Sequence, residues 1–487
     1  MTRGSVVALV NGTLTQDTII LNQEVCPSIL QRPRSAHLSS LVDCDSFFNA
    51  VFSLTCHSLH LFSRYPVNPT SPTFVPNATT MRSSTFLAAI GAALSVRAAD
   101  IDFEGLPDTG LDTSSWTTGQ NPPIDDMVDA NDFQFAAKNV LNGRRYAYYR
   151  TAALDEITYE RNMHDWEKIR LNGFAFQDVS NLYKKTKVLG HEFDSPFFIA
   201  PAAKAGYTDS GAEQNLVRAA GDANVLYVPS ISASQSIEEI GSAAKDGQIM
   251  FHQEYIWSNR TQLRDELSRM EQAGFRAIFL TVDNTGVQGV RPRYDRYRTS
   301  GDSHHDSDNS IEAINELRNL TSLPIVPKGI KSAHDIKLCA DLGFPAVYIS
   351  NHGGRQVDMG ATAVEVLLDL HRDYPEVFGQ IEIYADGGVR NAAHILTLIS
   401  LGVTAVGVGR PFYFANIYGQ DGIAKLIDLF NTELDTTMKL LGEDDIRSYR
   451  GNSTFVNTRK IELDYFGAPL QADTHVANVF SHESPLD

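Results

Sequence analysis

From about residue 195 the sequence alternates between short runs of apolar residues and longer amphipathic segments. Short continuous apolar runs are typical of buried strands, whereas apolar residues at helical spacing indicate helices packed on a core. The eight runs cover 197–203, 226–232, 249–255, 277–283, 324–329, 346–352, 381–388 and 405–410. The segments between them contain helix-capping residues at Ser210, Ser236, Ser258, Ser332 and Asn391. Eight buried strands that alternate with helices predict an α/β fold, a parallel (β/α)8 TIM barrel, over about residues 195–445.

The flanking segments predict how the rest of the chain is organised. Residues 126–195 have the pattern of helices and turns, which indicates an N-terminal helical extension packed ahead of the barrel. We expect one domain over 126–465, a linker over 100–125 and a C-terminal tail over 466–487. No G-x-G-x-x-G follows the first apolar run, which argues against a dinucleotide-binding Rossmann domain.

The first 99 residues contain two unlike pieces. Residues 1–80 are rich in Ser, Thr and Pro without a sustained period, and we expect a disordered leader there. Residues 81–99 combine Arg82, an apolar run over 86–96 and a small-residue exit, which is the layout of a secretory signal peptide. This pattern predicts a secreted protein if translation begins at Met81. A mitochondrial presequence and a chance apolar stretch in a cytoplasmic protein are the alternatives.

Composition narrows the classes of partner. Hydrophobic residues make up 43% of the chain and charged residues 21%, as in soluble globular proteins. The formal net charge of -18 argues against a nucleic-acid partner, because phosphate binding needs a basic surface. The apolar run at 86–96 is too short to span a bilayer, so we expect no stable membrane insertion. Four cysteines are too few for a disulfide framework, and we expect no metal site.

Polar and charged residues mark the ends of the predicted strands. In a parallel barrel the carboxyl ends of all strands meet at one mouth, where the chemistry takes place. The residues at these ends are Ala203, Ser230, Gln253, Tyr255, Thr281, Asp283, Lys328, His352, Arg355, Asp386, Arg390 and Arg410. A histidine can exchange a proton near neutral pH, and an arginine can bind a carboxylate through two hydrogen bonds. The pattern therefore predicts that these groups converge on one functional site at the mouth, beyond what a solvated rim would explain.

One run of residues is more specific than the rest. Residues 349–358 read Ile-Ser-Asn-His-Gly-Gly-Arg-Gln-Val-Asp, and they resemble the active-site signature of the FMN-dependent 2-hydroxy acid oxidase and dehydrogenase family. That family includes glycolate oxidase, lactate oxidase and the flavin domain of flavocytochrome b2. The resemblance extends in order over about 126–450 and includes 148–149, 201–203, 253–255, 281–283, 328–329, 386–390 and 409–411.

The resemblance implies a cofactor, a reaction and a role for each matching residue. The expected cofactor is FMN, and the expected reaction oxidises a 2-hydroxy acid to the 2-oxo acid with oxygen or another electron acceptor. By resemblance His352 is the catalytic base, and Asp283 orients its imidazole. The implied substrate-binding residues are Tyr148, Tyr255, Arg291 and Arg355. Whether the reaction proceeds by hydride transfer or through a carbanion stays open.

The family pattern also implies the cofactor site. Lys328 would stand beside the negative charge of the reduced flavin, and Asp386 would hold the ribityl chain. The backbone at Ala203 and the side chains of Ser230, Gln253 and Thr281 would bind the flavin ring. The remaining implied cofactor-binding residues, including those expected at the phosphate, are Ser350, Gly387, Gly388, Arg390, Gly409 and Arg410.

Three features depart from the family pattern. The 45 positions from Asp283 to Lys328 form a shorter connection than is usual. Lys204 and Glu254 replace apolar residues, and they either pair with each other or alter substrate choice. No haem-binding His-Pro-Gly-Gly element precedes the barrel. Two alternatives stay open, namely flavin-dependent oxidation of a larger carboxylated metabolite and a non-redox barrel that binds a phosphorylated ligand. The oligomeric state, including a homo-oligomer, is also open.

Overall fold

The computed structural model describes residues 106–297 and 305–467, together with two short paired strands, Leu9–Val10 and Thr13–Leu14. The chain divides into two units, Met1–Ala99 and Asp100–Asp487, and the second unit is the one considered below. The predicted signal peptide at 81–99, nearly all of the predicted leader and the predicted tail beyond residue 467 lie outside the described residues. None of the helices described is long and apolar enough to cross a membrane.

Seven parallel strands form the central sheet of the second unit. They are β1 (Phe197–Ile199), β2 (His252–Tyr255), β3 (Ile278–Thr281), β4 (Ile325–Ile330), β5 (Ala346–Ile349), β6 (Glu382–Ala385) and β7 (Ala405–Val408). Their order across the sheet is β1-β7-β6-β5-β4-β3-β2. Nearly every residue in these strands is buried, as expected for a parallel sheet covered on both faces.

The strand predicted at 226–232 is present only as isolated bridges. Tyr227 pairs with Ile199 at one edge of the sheet and with Met250 just before β2 at the other edge. Ser230 also bridges to Gln253 on β2. Pro229 interrupts the segment because proline has no backbone N–H to donate, although its carbonyl still accepts from the Gln253 N–H at 2.9 Å. The curled sheet and these bridges are consistent with the predicted (β/α)8 barrel.

Helices surround the sheet and precede it. Three helices come before β1: Ala130–Val140, Gly143–Arg150 and Ile157–His164. The later helices are Ala212–Asp222, Ile237–Ser242, Arg260–Gln272, Pro292–Asp295, Ile311–Arg318, Ala333–Asp341, Ala363–Asp373, Ala392–Ser400, Arg410–Ala415, Gly419–Leu441, Ile446–Tyr449 and Arg459–Phe466. Two antiparallel pairs lie outside the central sheet: Arg170–Leu171 with Val456–Asn457, and Thr186–Val188 with His191–Phe193.

Side-chain capping starts most of these helices. The caps predicted at Ser236, Ser332 and Asn391 are confirmed by hydrogen bonds from the first turn. The caps predicted at Ser210 and Ser258 are wrong by one residue, since Gly211 and Asn259 precede those helices. The Asn259 amide oxygen accepts from two backbone N–H groups, so it satisfies the helix start better than a serine one residue earlier.

The core has two layers because successive strand residues point to opposite faces. Residues such as Ile278 and Leu280 pack outward against the helices. Phe279, between them, points into the enclosed side of the sheet and contacts the rings of Phe198, Phe251, Tyr348 and Tyr384 at centroid distances of 5.4–6.0 Å. An aromatic cluster therefore fills the enclosed side of the curled sheet with packed side chains.

Replacing Phe279 by Ala should destabilise the protein by about 3–5 kcal/mol, because a buried aromatic ring would leave a cavity among four other rings. Phe176→Ala is the matched control, since that ring is fully exposed. Equilibrium unfolding in urea measures both changes. Equal loss of stability in the two variants would show that packing in the interior cluster does not add to the free energy of unfolding.

Candidate active site

One cavity of about 710 Å³ opens at the carboxyl ends of the strands. It brings together sixteen of the eighteen site residues predicted from the sequence: Tyr148, Ala203, Ser230, Gln253, Tyr255, Thr281, Arg291, Lys328, His352, Arg355, Asp386, Gly387, Gly388, Arg390, Gly409 and Arg410. The other two, Asp283 and Ser350, lie directly behind this lining, where they bond to His352 and Lys328. The predicted residues thus converge on a single site.

His352 and Asp283 form a hydrogen-bonded pair. Asp283 follows β3 and His352 follows β5, and β4 lies between these two strands in the sheet. The His352 Nδ1 atom lies 3.1 Å from Asp283 Oδ1 and 3.2 Å from Oδ2. The Asp283 side chain is completely buried, whereas that of His352 is 26% exposed. Because Nδ1 faces the carboxylate, Nε2 is the ring nitrogen left for proton exchange in the cavity.

The surroundings of Asp283 favour its ionised form. Burial by itself would raise the pKa of this carboxyl. The charge and the hydrogen bond of His352, together with the charges of Lys328 and Lys331, outweigh burial and hold the pKa of Asp283 below its ordinary value. A carboxylate that stays ionised in this position can stabilise a protonated imidazole.

Gly329 on β4 makes room for this pair. Its φ of +98° lies in the left-handed region, and a Cβ added there would lie 2.5 Å from the Asp283 Cγ atom. Any other residue would push the carboxylate away from His352. Glycine is therefore required at position 329 for two reasons: Asp283 leaves no room for a side chain, and the backbone there is left-handed.

Lys328 and Ser350 lie beside the His352 pair. The Lys328 side chain lies on β4, and the residue is 4% exposed. Its Nζ atom donates to Ser350 Oγ at 3.3 Å, and the same hydroxyl accepts from the His352 backbone N–H at 3.0 Å. A buried ammonium is costly unless an anion or hydrogen-bond acceptors compensate it, so this charge strongly favours electron-rich groups in the cavity.

Three polar side chains form a row across the adjoining strands. Ser230 Oγ donates to the Gln253 amide oxygen at 2.7 Å, and the Gln253 amide nitrogen donates to Thr281 Oγ1 at 2.9 Å. All three residues are buried and line the cavity. A row of donors and acceptors linked in this way suits the polar edge of a ring system.

Three arginines are anchored on the last carbonyls of the helix Gly143–Arg150. Arg355 Nη2 donates to the carbonyls of Tyr148 and Tyr149, each at 2.7 Å, and Arg291 Nη1 donates to the Tyr148 carbonyl at 3.0 Å. Arg410 Nε donates to the Tyr149 carbonyl at 2.8 Å. The Arg355 Nε atom is buried and has no hydrogen-bond partner in the described part of the protein. The guanidinium of Arg355 is thus held in position with donor capacity remaining.

The two predicted tyrosines differ in environment. The Tyr148 ring lies 5.4 Å from Arg355 Cζ and 5.6 Å from Arg291 Cζ. Tyr255 is buried on β2, and its ring stacks on His305 with centroids 3.9 Å apart. Burial, and then the charge of Asp283, raise the pKa of Tyr255, so its hydroxyl stays protonated and able to donate.

The ends of β6 and β7 form the other half of the cavity. The Asp386 Oδ2 atom accepts from the Tyr348 hydroxyl at 2.9 Å, whereas its Oδ1 atom is buried without a hydrogen-bond partner among the described residues. Arg390 donates to Gln134 Oε1 at 2.7 Å and to Asn131 Oδ1 at 3.3 Å. These contacts place two cationic groups, Arg390 and Arg410, beside a glycine-rich turn, an arrangement suited to a phosphate.

The sequence did not reveal several residues that shape this site. Asn131 and Gln134 hold Arg390, and His305 stacks on Tyr255. Asn162 and Asn351 exchange amide hydrogen bonds of 2.9 and 2.8 Å behind the His352 turn. Asn131 and Gln134 lie on the helix Ala130–Val140, and no pattern in the sequence distinguishes them from the other polar residues of that helix.

Lys204 and Glu254 do not pair with each other. Glu254 Oε1 accepts from the Tyr255 backbone N–H at 2.7 Å and from Trp257 Nε1 at 3.0 Å. Burial, and then the charge of Glu266, raise the pKa of Glu254 well above its ordinary value. The Lys204 ammonium lies in the cavity, 5.5 Å from the ring centroids of both Tyr148 and Tyr207. The sequence left two interpretations of Lys204 and Glu254, mutual pairing or an altered substrate choice, and the first of these is wrong.

Comparison with known proteins assigns the family. A family model described as FMN-dependent dehydrogenase matches residues 137–311 and 295–455. The chain belongs to this FMN-dependent dehydrogenase family. The non-redox phosphate-binding alternative finds no support in this match.

Individual relatives agree with the family match. An L-lactate dehydrogenase (cytochrome) of Wickerhamomyces anomalus is 32% identical over 67% of this chain and 61% of its own length. A peroxisomal (S)-2-hydroxyacid oxidase of Arabidopsis thaliana is 30% identical over 66% of this chain and 94% of its own length. The chain spans 62% of the length of the corresponding L-lactate dehydrogenase (cytochrome) of Saccharomyces cerevisiae.

Solved structures agree as well. The flavin-binding domain of baker's yeast flavocytochrome b2 superposes with a TM-score of 0.67 at 30% identity, covering 75% of this chain and 94% of that chain. A mandelate oxidase superposes with a TM-score of 0.62 at 29% identity, covering 68% of this chain and 98% of that chain.

The residues of the cavity fit FMN, the cofactor in the description of the family. Asp386 Oδ1 is a buried acceptor that lacks a partner in the described structure and suits a ribityl hydroxyl. The row formed by Ser230, Gln253 and Thr281 suits the polar edge of the flavin, and Lys328 supplies the buried positive charge. No group of three or more His, Cys, Asp or Glu among the described residues is placed to hold a metal ion.

Gly329→Ala should destabilise the protein more than backbone strain alone, because the new Cβ would collide with Asp283. Gly274→Ala is the matched control: its φ of +88° is similar, but nothing lies within 4 Å of the added Cβ. The control should lose about 1 kcal/mol and the test variant at least about 1 kcal/mol more. Thermal unfolding with FMN present measures both. Equal losses would show that Gly329 is not needed for the Asp283 position.

Proposed function

We propose that this protein oxidises a 2-hydroxy acid to the corresponding 2-oxo acid with FMN as cofactor. The observation that carries the proposal is the His352–Asp283 pair, which shares one cavity with the anchored Arg355 and the buried Lys328. A base, a carboxylate-binding group and a fixed cation are the elements that this oxidation requires. The relatives named above support the same reaction, because their names describe oxidation of lactate and other 2-hydroxy acids.

Substrate binding is assigned to the arginines and tyrosines at the cavity. Arg355 binds the substrate carboxylate with the donors that its two carbonyl contacts leave free, and Arg291 lies close enough to the Tyr148 ring to assist. Tyr148 and Tyr255 donate hydrogen bonds to the bound acid. The anchoring of Arg355 on Tyr148 and Tyr149 supports this assignment, because a preorganised guanidinium loses little entropy on binding.

His352 is assigned as the base that accepts a proton from the substrate. Oxidation of the alcohol removes two electrons and two protons from the substrate, and Nε2 of His352 takes one of those protons, from the hydroxyl or from C2. Asp283 keeps the ring oriented through Nδ1 and stabilises the imidazolium that results. Bound FMN would accept the two electrons together with the second proton, which gives the anionic reduced flavin. Lys328, buried beside Ser350, would hold the cofactor through its charge.

The cofactor residues and the complete fold belong to the same proposal. Asp386 would bind the ribityl chain, and Gly387, Gly388, Arg390, Gly409 and Arg410 would surround the phosphate. We also infer that 226–230 is the eighth strand of a complete (β/α)8 barrel, which the bridges of Tyr227 to both sheet edges support. The three helices before β1 form its N-terminal helical extension, and Gly143–Arg150 contributes directly to the site.

His352→Gln should slow reduction of the flavin by about 10²–10⁴-fold, because glutamine cannot act as a base near neutral pH. Stopped-flow absorbance after mixing with L-lactate or glycolate measures the bleaching of the yellow oxidised flavin. The variant should stay folded and yellow, since no proposed flavin contact runs through this side chain. His334→Gln, which changes an exposed histidine on the helix Ala333–Asp341, is the matched control and should reduce at the wild-type rate. Reduction of His352→Gln at that rate would remove His352 as the base.

Lys328→Met should lower the midpoint potential of the flavin by at least about 30 mV, which corresponds to about 1.4 kcal/mol for a two-electron couple. The reduced flavin is anionic and would lose its buried counter-charge. Lys337→Met removes a lysine paired with Asp341 on the surface and should leave the potential unchanged. Spectroelectrochemical titration of the FMN-loaded proteins measures the shift. A midpoint unchanged in Lys328→Met would place the lysine away from the flavin.

A further inference from the structure

The cavity carries more positive charge than the proposed reaction uses. Seven lysine and arginine side chains line it, whereas Asp386 is the only carboxylate among the described lining residues. This excess stands out in a chain with a formal net charge of -18. The proposed cofactor site uses Lys328, Arg390 and Arg410. A single substrate carboxylate leaves further cations at the cavity without an assigned partner.

Lys204 is the cation that a simple 2-hydroxy acid does not explain. It follows Ala203 directly, and its carbonyl accepts from the Tyr149 hydroxyl at 2.7 Å, which fixes the backbone. The Lys204 backbone is itself left-handed, with a φ of 63°. No ion pair within the described ranges includes Lys204, and Glu254 is bonded elsewhere. The backbone of this lysine is thus held in place, and its ammonium group has no ion-pair partner among the described residues.

Lys204 lies beside the same aromatic ring, that of Tyr148, as the proposed carboxylate site. Lys204 Nζ lies 5.5 Å from the ring centroid, and the Cζ atoms of Arg355 and Arg291 lie 5.4 and 5.6 Å from it. Lys204 and Arg291 therefore lie around the same aromatic ring as Arg355, the arginine proposed to bind the substrate carboxylate. Tyr207, also 5.5 Å from Lys204 Nζ, adds a second apolar surface. A short chain of methylene groups could pack on these rings with an anionic group at each end.

We propose that Lys204 binds a second carboxylate at the far end of the substrate, and that the preferred substrates are 2-hydroxy dicarboxylic acids. This inference rests on the proposed oxidation of a 2-hydroxy acid. The exposed Arg144 at the cavity edge adds to the attraction for a doubly charged acid. A charge pair at the wall of a partly buried cavity is stronger than one in open water, because solvent screens it less.

Two acids of equal carbon number test the proposal. 2-Hydroxyglutarate and 2-hydroxypentanoate have the same reacting centre, but only the first carries a terminal carboxylate. The FMN-loaded wild type should show a higher kcat/KM for 2-hydroxyglutarate, and increasing salt should reduce that advantage. In Lys204→Met the ratio of the two kcat/KM values should fall about tenfold, mainly through a higher KM for the dicarboxylic acid. Lys204→Arg should retain most of the ratio, because the charge remains.

Controls separate the charge of Lys204 from general effects. Lys245→Met removes an exposed lysine that does not line the cavity and should leave the ratio unchanged. The FMN content of each variant is measured first, and Lys204→Gln replaces Lys204→Met if the apolar side chain prevents cofactor loading. Either neutral variant must lower the ratio for the proposal to stand.

The outcomes distinguish this inference from the proposed function. If the wild type reduces its flavin with 2-hydroxypentanoate at least as efficiently as with 2-hydroxyglutarate, or if the neutral Lys204 variants keep the ratio, the second carboxylate site is overturned and the oxidation of 2-hydroxy acids stands. In that case the lysine serves only to pack on Tyr148 and Tyr207. If neither acid, nor L-lactate or glycolate, reduces the flavin, the proposed function fails and this inference fails with it.

Discussion

Burial of the Asp283 carboxylate is the constraint on which the site depends. An ionised group inside a protein loses its hydration, at an effective cost of several kcal/mol unless neighbouring charges and hydrogen bonds replace the water. Here the replacement comes from His352 and Lys328, which belong to different segments of the chain. The ends of β3, β4 and β5 must therefore meet closely, and Gly329 must lack a side chain. The curled parallel sheet provides this meeting point, and the aromatic interior supports it from below.

The helix Gly143–Arg150 precedes the central sheet in the chain, yet its last carbonyls hold side chains of the active-site cavity. The last carbonyls of a helix have no partners within it and carry partial negative charge. The carbonyls of Tyr148 and Tyr149 are of this kind, and they accept from Arg291, Arg355 and Arg410. The helix end thus holds like charges close together. Burial, and then the charge of Arg355, lower the pKa of Arg410, whereas hydrogen bonding to the Tyr149 carbonyl favours its charged form.

The sequence predicted those parts of the structure that depend on local pattern. Apolar runs locate buried strands because a parallel sheet covered on both faces admits few polar residues, and seven of the eight runs contain a strand. The run at 226–232 is reduced to bridges because Pro229 cannot donate a hydrogen bond. Polar residues at strand ends were informative because packing does not explain them. Partners such as Asn131, Gln134 and His305 come from distant segments, and one sequence does not say which distant residues meet.

The shared anchoring of three arginines on one helix end links the two halves of the cavity. Arg410 belongs to the side assigned to the cofactor phosphate, and Arg355 to the side assigned to the substrate carboxylate, yet both donate to the carbonyl of Tyr149. An anion that draws one guanidinium toward itself changes the hydrogen bonding available to the other. The affinities for cofactor and substrate are then thermodynamically coupled, and by reciprocity each ligand alters the binding of the other by the same factor.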